Sequence, residues 1–205
     1  MIHLETITPR LHEIAKRVTE SLDSSYYLAG GTALALLSGH RESVDLDYFI
    51  QKHIDTGKLK SELMLLFPDI SFPYEDVDTL WCTTSGVKVS FISRFAHCLD
   101  EVQNEEGFRL IGLKDIVVMK LNAVCGRDEY KDYYDLAILS DLTDVRQWTV
   151  WWEEVYPQSD SISWITALSH GDASEAVTLK GKTIHDRKEV VSMLEKVAKE
   201  VVSFL

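Results

Sequence analysis

Asp45 and Asp47 stand two residues apart in "SVDLDYFI". On a β-strand, side chains alternate between faces, so the two carboxylates would share one face roughly 6–7 Å apart. Like charges held in that way repel unless positive charge lies between them, and a divalent cation with oxygen ligands satisfies both. A solvated strand end, or neutralisation by Arg41, is the plainer account of the same pair. A few residues upstream, Gly30-Gly31-Thr32 falls between an apolar "YYLA" and an apolar "TALALLSG". Glycine lets a ligand approach the backbone closely, a following helix offers free N–H groups to an anion, and Thr32 adds a hydroxyl. A tight strand-to-helix turn explains the two glycines equally well. His40 and Arg41, in the loop ahead of the acids, could meet a phosphate, but simple loop exposure is the plainer expectation, except that Arg41 can neutralise the acid pair.

The second half of the chain also aims charge inward. In "LKDIVVMKLNAVC", Leu113, Ile116, Val117, Leu121 and Val124 form one helical stripe, and Lys120 falls near its middle. An unpaired buried ammonium is costly, so Lys120 either reaches an anion such as a triphosphate or pairs with a buried aspartate. In "GRDEYKDYYDLAIL", Asp132 and Asp135 share a helix face with Leu136 and Leu139. These acids could orient Lys120 or Arg127, join a metal, or take a proton from a hydroxyl. An ion-pair network tying two helices together is the bland alternative.

Elements that would position these groups follow from periodicity and punctuation. "TPRLHEIAKRVTESL" predicts a helix capped by Thr8 with Pro9 in its first turn. "YYLA" and "SVDLDYFI" predict strands, and "TALALLSG" a short helix ending near Gly39. "TGKLKSELMLLF" predicts a helix stopped at Pro68, and Ser85-Gly86 predicts a hairpin between "DTLWCTT" and "VKVSFISR". Past Gly107 the pattern is helical throughout. The expectation is an α+β protein: a mixed-sheet lobe over residues 1–110 and a helical C-terminal lobe over 111–205, forming one compact unit with the active cleft between the lobes.

Composition limits the partners. A net charge of −12 over 205 residues argues against a general nucleic-acid coat and leads us to expect no DNA binding. "LKGKTIHDRK" gathers Lys180, Lys182, Arg187 and Lys188, which reads better as a solvated helix start than as an RNA contact. Trp148, Trp151, Trp152 and Trp164 read as core packing. Three cysteines without a CxxC pair, and an opening "MIHLETITPR" without a charged-then-apolar leader, set the expectation of a reduced, cytoplasmic protein. No apolar run approaches the ~20 residues of a membrane span.

Taken together, "GGTALALLSGHRESVDLD", "VMKLNAV" and "KDYYDL" resemble the AbiEii/AbiGii-type nucleotidyltransferase toxins. These are abortive-infection and toxin–antitoxin proteins with a polymerase-β-like nucleotidyltransferase core. The resemblance implies that Gly30, Gly31 and Thr32 hold nucleotide phosphates and that Asp45 and Asp47 bind Mg2+ or Mn2+. It implies that Lys120 contacts phosphate, and that Asp132 or Asp135 belongs to the catalytic set, with Asp132 the expected base. It also implies an NTP substrate, a tRNA acceptor for some members, and a cognate antitoxin. Polymerase-β-type enzymes usually carry a third acid on a neighbouring strand, and here Ser90 of "VKVSFIS" occupies the expected position. Three accounts stay open: Asp132 or Asp135 stands in for that acid, one tightly held metal suffices, or the protein binds nucleotide without fast transfer. A nucleotide-binding module and a toxin–antitoxin interaction module are therefore the competing readings.

Overall fold

Helix α1 (Pro9–Ser21) starts where its sequence places it, because the Thr8 side chain accepts from Leu11 N and Pro9 occupies the first turn. Its stripe Leu11, Ile14, Ala15 and Val18 is buried. The computed structural model describes residues 1–169, 179–181 and 186–204. The chain divides into two compact units, Met1–His97 with Glu101–Ile111, and Cys98–Asp100 with Gly112–Leu205.

The first unit is built on β1 (Tyr27–Ala29), α2 (Gly30–Ser38), β2 (Leu46–Ile50), α3 (Thr56–Leu66), β3 (Ser71–Asp76), β4 (Thr79–Thr84), β5 (Val87–Ser93), β6 (Gln103–Glu105) and β7 (Phe108–Leu110). The strands form one seven-stranded sheet in the order β3-β4-β5-β2-β1-β7-β6. β2 runs parallel to β5 and β1 parallel to β7, while the other pairs are antiparallel, so the sheet is mixed as expected. One face carries the core: Leu28, Leu46, Tyr48, Leu80, Val89 and Phe91 are buried. The Tyr48 hydroxyl donates to Ala15 O of α1 at 3.3 Å, tying β2 to that helix. Arg109 of β7 is buried and donates to three backbone carbonyls, Tyr26 and Thr19 at 2.7 Å and Asp23 at 3.2 Å. Its guanidinium thereby closes the end of α1 and the approach to β1, with every bond charge-assisted.

Punctuation residues act as the sequence suggests. Gly39 caps α2 in the left-handed region, and Asp55 caps α3 by accepting from Lys58 N. Ser85 and Gly86 both take positive φ, the geometry of a two-residue hairpin turn. Two features depart from expectation. The segment "SVDLDYFI" begins as a strand only at Leu46, and Val44, expected on the apolar face, is 65% exposed. The backbone there is held elsewhere, since Ser43 N donates to Thr6 O at 2.9 Å. Strands β3, β6 and β7 carried no clear period-two signal; β3 and β6 are the sheet's edges.

The second unit is helical, with α4 (Leu113–Gly126), α5 (Tyr130–Leu142), α6 (Trp148–Val155), α7 (Ile162–Leu168) and α8 (Arg187–Val202). α8 opens with a capping box between Asp186 and Glu189. Trp148, Trp152 and Trp164 are buried here, in keeping with core packing. The Trp148 indole N–H donates to Thr143 Oγ1 at 2.9 Å, so burial leaves it satisfied. Lys182 of the basic segment lies outside the described residues.

Candidate active site

The expected phosphate turn is the first turn of α2 itself. Gly30 takes a φ of +67°, a conformation that favours glycine, and α2 begins at that residue. Ala29, its N-cap, supplies no side-chain bond to the helix's first N–H groups. In the sheet Ala29 is the partner of Asp47, and a Cβ built on Gly30 would lie 3.1 Å from Asp47 Oδ2. The glycine therefore brings bare backbone against the carboxylate. Thr32 is buried and its hydroxyl is engaged inward: the Ser43 hydroxyl lies 2.7 Å away, and the Thr32 hydroxyl donates to the Asp45 carbonyl. What Thr32 provides is a brace that fixes the backbone presenting Asp45.

Asp47 lies in β2 and Asp45 one residue ahead of it. Both are half-buried, whereas Leu46 and Tyr48 between and beyond them are fully buried. His40 and Arg41 of the preceding loop are buried, not exposed as expected: the Ser38 hydroxyl lies 2.8 Å from His40 Nδ1, and Arg41 donates to Glu42 O at 3.1 Å. Ser90 is the direct partner of Asp47 on the parallel neighbour β5, and it is buried. Directly opposed residues carry their side chains on one face. Ser90 therefore stands where a third acid would complete the row. Among the described residues, no group of three or more His, Cys, Asp or Glu is gathered as a metal cage. Two carboxylates beside a helix start without a side-chain cap fit a magnesium-type ion, which takes one or two protein carboxylates and completes its shell with phosphate oxygens and water.

In the helical unit, Lys120, Arg127, Asp132 and Asp135 form a charge network, which Arg127 extends to Glu129 at 3.6 Å. Lys120 Nζ lies 2.7 Å from Asp132 Oδ1 and 2.6 Å from Asp135 Oδ2, and all three side chains are buried. Arg127 donates to Asp132 through Nε at 2.7 Å and a terminal nitrogen at 3.2 Å. The buried charges of α4 and α5 are thus paired with opposite charge rather than left alone. Burial opposes the charge on Lys120, but Asp135 and Asp132 outweigh it and hold the ammonium pKa above its ordinary value. Burial likewise pushes Asp132 up, yet Lys120 and Arg127 win and hold it below the usual carboxylate range. The Asp132 carboxylate is thus held in its ionised form between two cations. The ion-pair reading is the arrangement seen.

The structure thus brings Gly30, Gly31, Thr32, Asp45, Asp47 and Ser90 together on one unit, and Lys120, Arg127, Asp132 and Asp135 together on the other. Sequence reasoning missed Ser43 as a partner of Thr32. It also missed the half-buried Trp81, which pairs with Ser90 from β4. The alternation of "TLWCTT" held that signal, because Trp81 falls out of phase with the buried Leu80 and Cys82.

This mixed sheet with its following helices has the fold of solved nucleotidyltransferases. MenT4, a nucleotidyltransferase toxin from Mycobacterium tuberculosis H37Rv, superposes with a TM-score of 0.60 at 14% identity, covering 94% of this chain and 82% of that one. JHP933 from Helicobacter pylori superposes with a TM-score of 0.56 at 19% identity, covering 99% and 94%. Residues 14–79 match the family described as "Nucleotidyl transferase AbiEii toxin, Type IV TA system". That stretch includes Gly30, Gly31, Thr32, Asp45 and Asp47. The Aquifex aeolicus protein aq_aa25 is 35% identical over 130 residues, covering 62% of this chain; the match spans 63% of that relative's length. Among the described residues no helix is long and apolar enough to cross a membrane.

Proposed function

We propose that the protein is a divalent-metal-dependent nucleotidyltransferase acting as the toxin of a toxin–antitoxin pair. It would move a nucleotide from an NTP to an acceptor hydroxyl, with tRNA as the expected acceptor. The carrying observation is that Asp47 stands beside Gly30, where an added Cβ would lie 3.1 Å from Oδ2, which sets an anion-accepting helix start beside a cation-accepting carboxylate. In this reading the first N–H groups of α2 hold the β- and γ-phosphates. Asp45 and Asp47 hold Mg2+ or Mn2+, which when bound supplies charge neutralisation at the α-phosphate. Thr32 and Ser43 keep Asp45 in place. The acceptor oxygen bonds to the α-phosphorus, the bridging α–β P–O bond breaks, pyrophosphate leaves and the hydroxyl proton passes to water. Such transfer needs positioning and charge neutralisation more than covalent help. Lys120, Arg127, Asp132 and Asp135 enter as the brace of the helical unit.

A second reading, nucleotide binding with little transfer, is favoured by one observation: Ser90 stands opposite Asp47 where a third carboxylate would sit. Incubating the protein with labelled NTPs, Mg2+ and total cellular RNA separates the readings, with Asp45→Asn/Asp47→Asn as control. Label transferred by the wild type and lost in the double variant supports transfer. Binding that needs both acids without transfer to any RNA or protein supports the second reading. Transfer that survives the double substitution sinks the first. Co-purification with the product of a neighbouring gene tests for an antitoxin, and expression in the cytoplasm with growth arrest tests toxicity.

A further inference from the structure

A row of directly paired residues crosses five strands of the sheet on the face that carries the acids. Tyr74 on β3 pairs with Trp81 on β4, Trp81 with Ser90 on β5, Ser90 with Asp47 on β2, and Asp47 with Ala29 on β1. The Tyr74 and Trp81 rings lie 4.6 Å apart, and Lys88 Nζ, from the same face of β5, sits 4.2 Å over the Trp81 ring. Tyr74 is 40% exposed, Trp81 half-buried and Lys88 exposed. Aromatic rings with a cation over them lie two strands from Asp47, about 9.5 Å at the usual strand spacing.

The position of this pair relative to the acids is the informative part. The helix-start glycine flanks Asp47 from the β1 side, and Trp81 flanks it from the β5–β4 side. In nucleotidyl transfer the attacking and leaving oxygens lie roughly in line across the α-phosphorus. Pyrophosphate held at Gly30 therefore places the incoming hydroxyl on the side of Trp81. An aromatic face accepts any unpaired base, and a lysine beside it accepts the backbone phosphate. The geometry points to the Tyr74–Trp81 pair with Lys88 as the platform on which the terminal base of a single-stranded polynucleotide acceptor stacks, with its 3′-hydroxyl directed to the acid pair. This rests on the proposed function and adds the residues that bind the acceptor's end. The Lys88 ammonium moves off the ring as the base arrives and pairs with its phosphate.

The test measures acceptor and nucleotide separately on the full chain. Fluorescence anisotropy follows a 5′-labelled, unstructured single-stranded RNA of about eight nucleotides, within the usual range for such sites. Titration calorimetry follows a non-hydrolysable NTP with Mg2+. Trp81→Leu and Lys88→Ala are each expected to weaken RNA binding about tenfold, with Trp81→Phe retaining most of it. Lys88→Ala should also flatten the salt dependence by about one phosphate's worth. NTP binding stays within twofold of wild type in Lys88→Ala. Because Lys88 is exposed, that variant carries the test even where Trp81→Leu fails to fold. RNA affinity unchanged in Lys88→Ala and Trp81→Phe/Lys88→Ala overturns the proposal. So does a loss confined to NTP binding, which would make the platform a seat for the incoming base, and so does label appearing on protein with no RNA bound. Loss of NTP binding in Asp45→Asn/Asp47→Asn bears on the proposed function alone, so the two can fail independently.

Discussion

Asp47 and Ser90 face one another across the parallel strands β2 and β5, the serine buried and the aspartate half-buried. A carboxylate and a hydroxyl thus share a position where two carboxylates would demand a cation between them. Ser90→Asp should create that demand. Without divalent ions the added charge is expected to cost about 2 kcal/mol through burial and repulsion from Asp47. Mn2+ should restore the loss and shift the melting temperature of Ser90→Asp further than that of wild type. Equal Mn2+ shifts in the two proteins would mean that position 90 adds no ligand to the metal.

Gly30→Ala probes the other side of Asp47. An alanine there must hold a left-handed φ and bring its methyl carbon to 3.1 Å from the carboxylate. The conformation alone costs about 1–2 kcal/mol. Urea denaturation should show that loss, and calorimetry should show NTP binding reduced by more than the stability change explains, because the methyl occupies the approach to Asp47. Full NTP affinity in a folded Gly30→Ala protein would remove the helix start from the site.

The charge network predicts a pH profile. Asp132 is held below its unfolded pKa, so its contribution is complete above about pH 4 and is lost as pH falls through the lower folded value. Lys120 is held above its unfolded pKa, so its contribution is complete below about pH 10 and is lost as pH rises through the higher folded value. Stability from this network should be flat between those limits. Asp132→Asn should lower stability at pH 7 by about 3–5 kcal/mol, since it strips a buried ammonium of one partner. Denaturant titrations across pH should find the acid limb correspondingly shallower. An unchanged acid limb would show that the network contributes nothing to it.

The acid pair, the glycine turn and the mixed-sheet-then-helices order were legible because each depends on local pattern. Thr8, Gly39 and Ser85-Gly86 marked element ends through conformations and bonds that reach only a few residues. Where the signal was non-local, reading failed or stayed open. β3 carries Pro73 and is mostly exposed at a sheet edge, so no alternation marks it. Lys120 in an apolar stripe could not disclose its partners, because Asp132 and Asp135 come to it only when α5 packs on α4. Val44 broke the alternation because tertiary bonds at Ser43 and Asp45 claim the backbone before the strand starts. The Thr32 hydroxyl was assigned outward from its type, while packing turned it inward to Ser43.

The two-residue connection at Ser85-Gly86 has a consequence beyond joining β4 to β5. Its length fixes which residue of β4 lies beside Ser90, and hence how far Trp81 stands from Asp47. One residue inserted or deleted there would slide β4 by a step and trade Trp81 for Leu80 or Cys82 on the acid-bearing face. Side-chain changes in this turn should therefore be tolerated far more readily than changes in its length, making the hairpin a spacer whose tolerance to indels, and not to substitution, reports on the site.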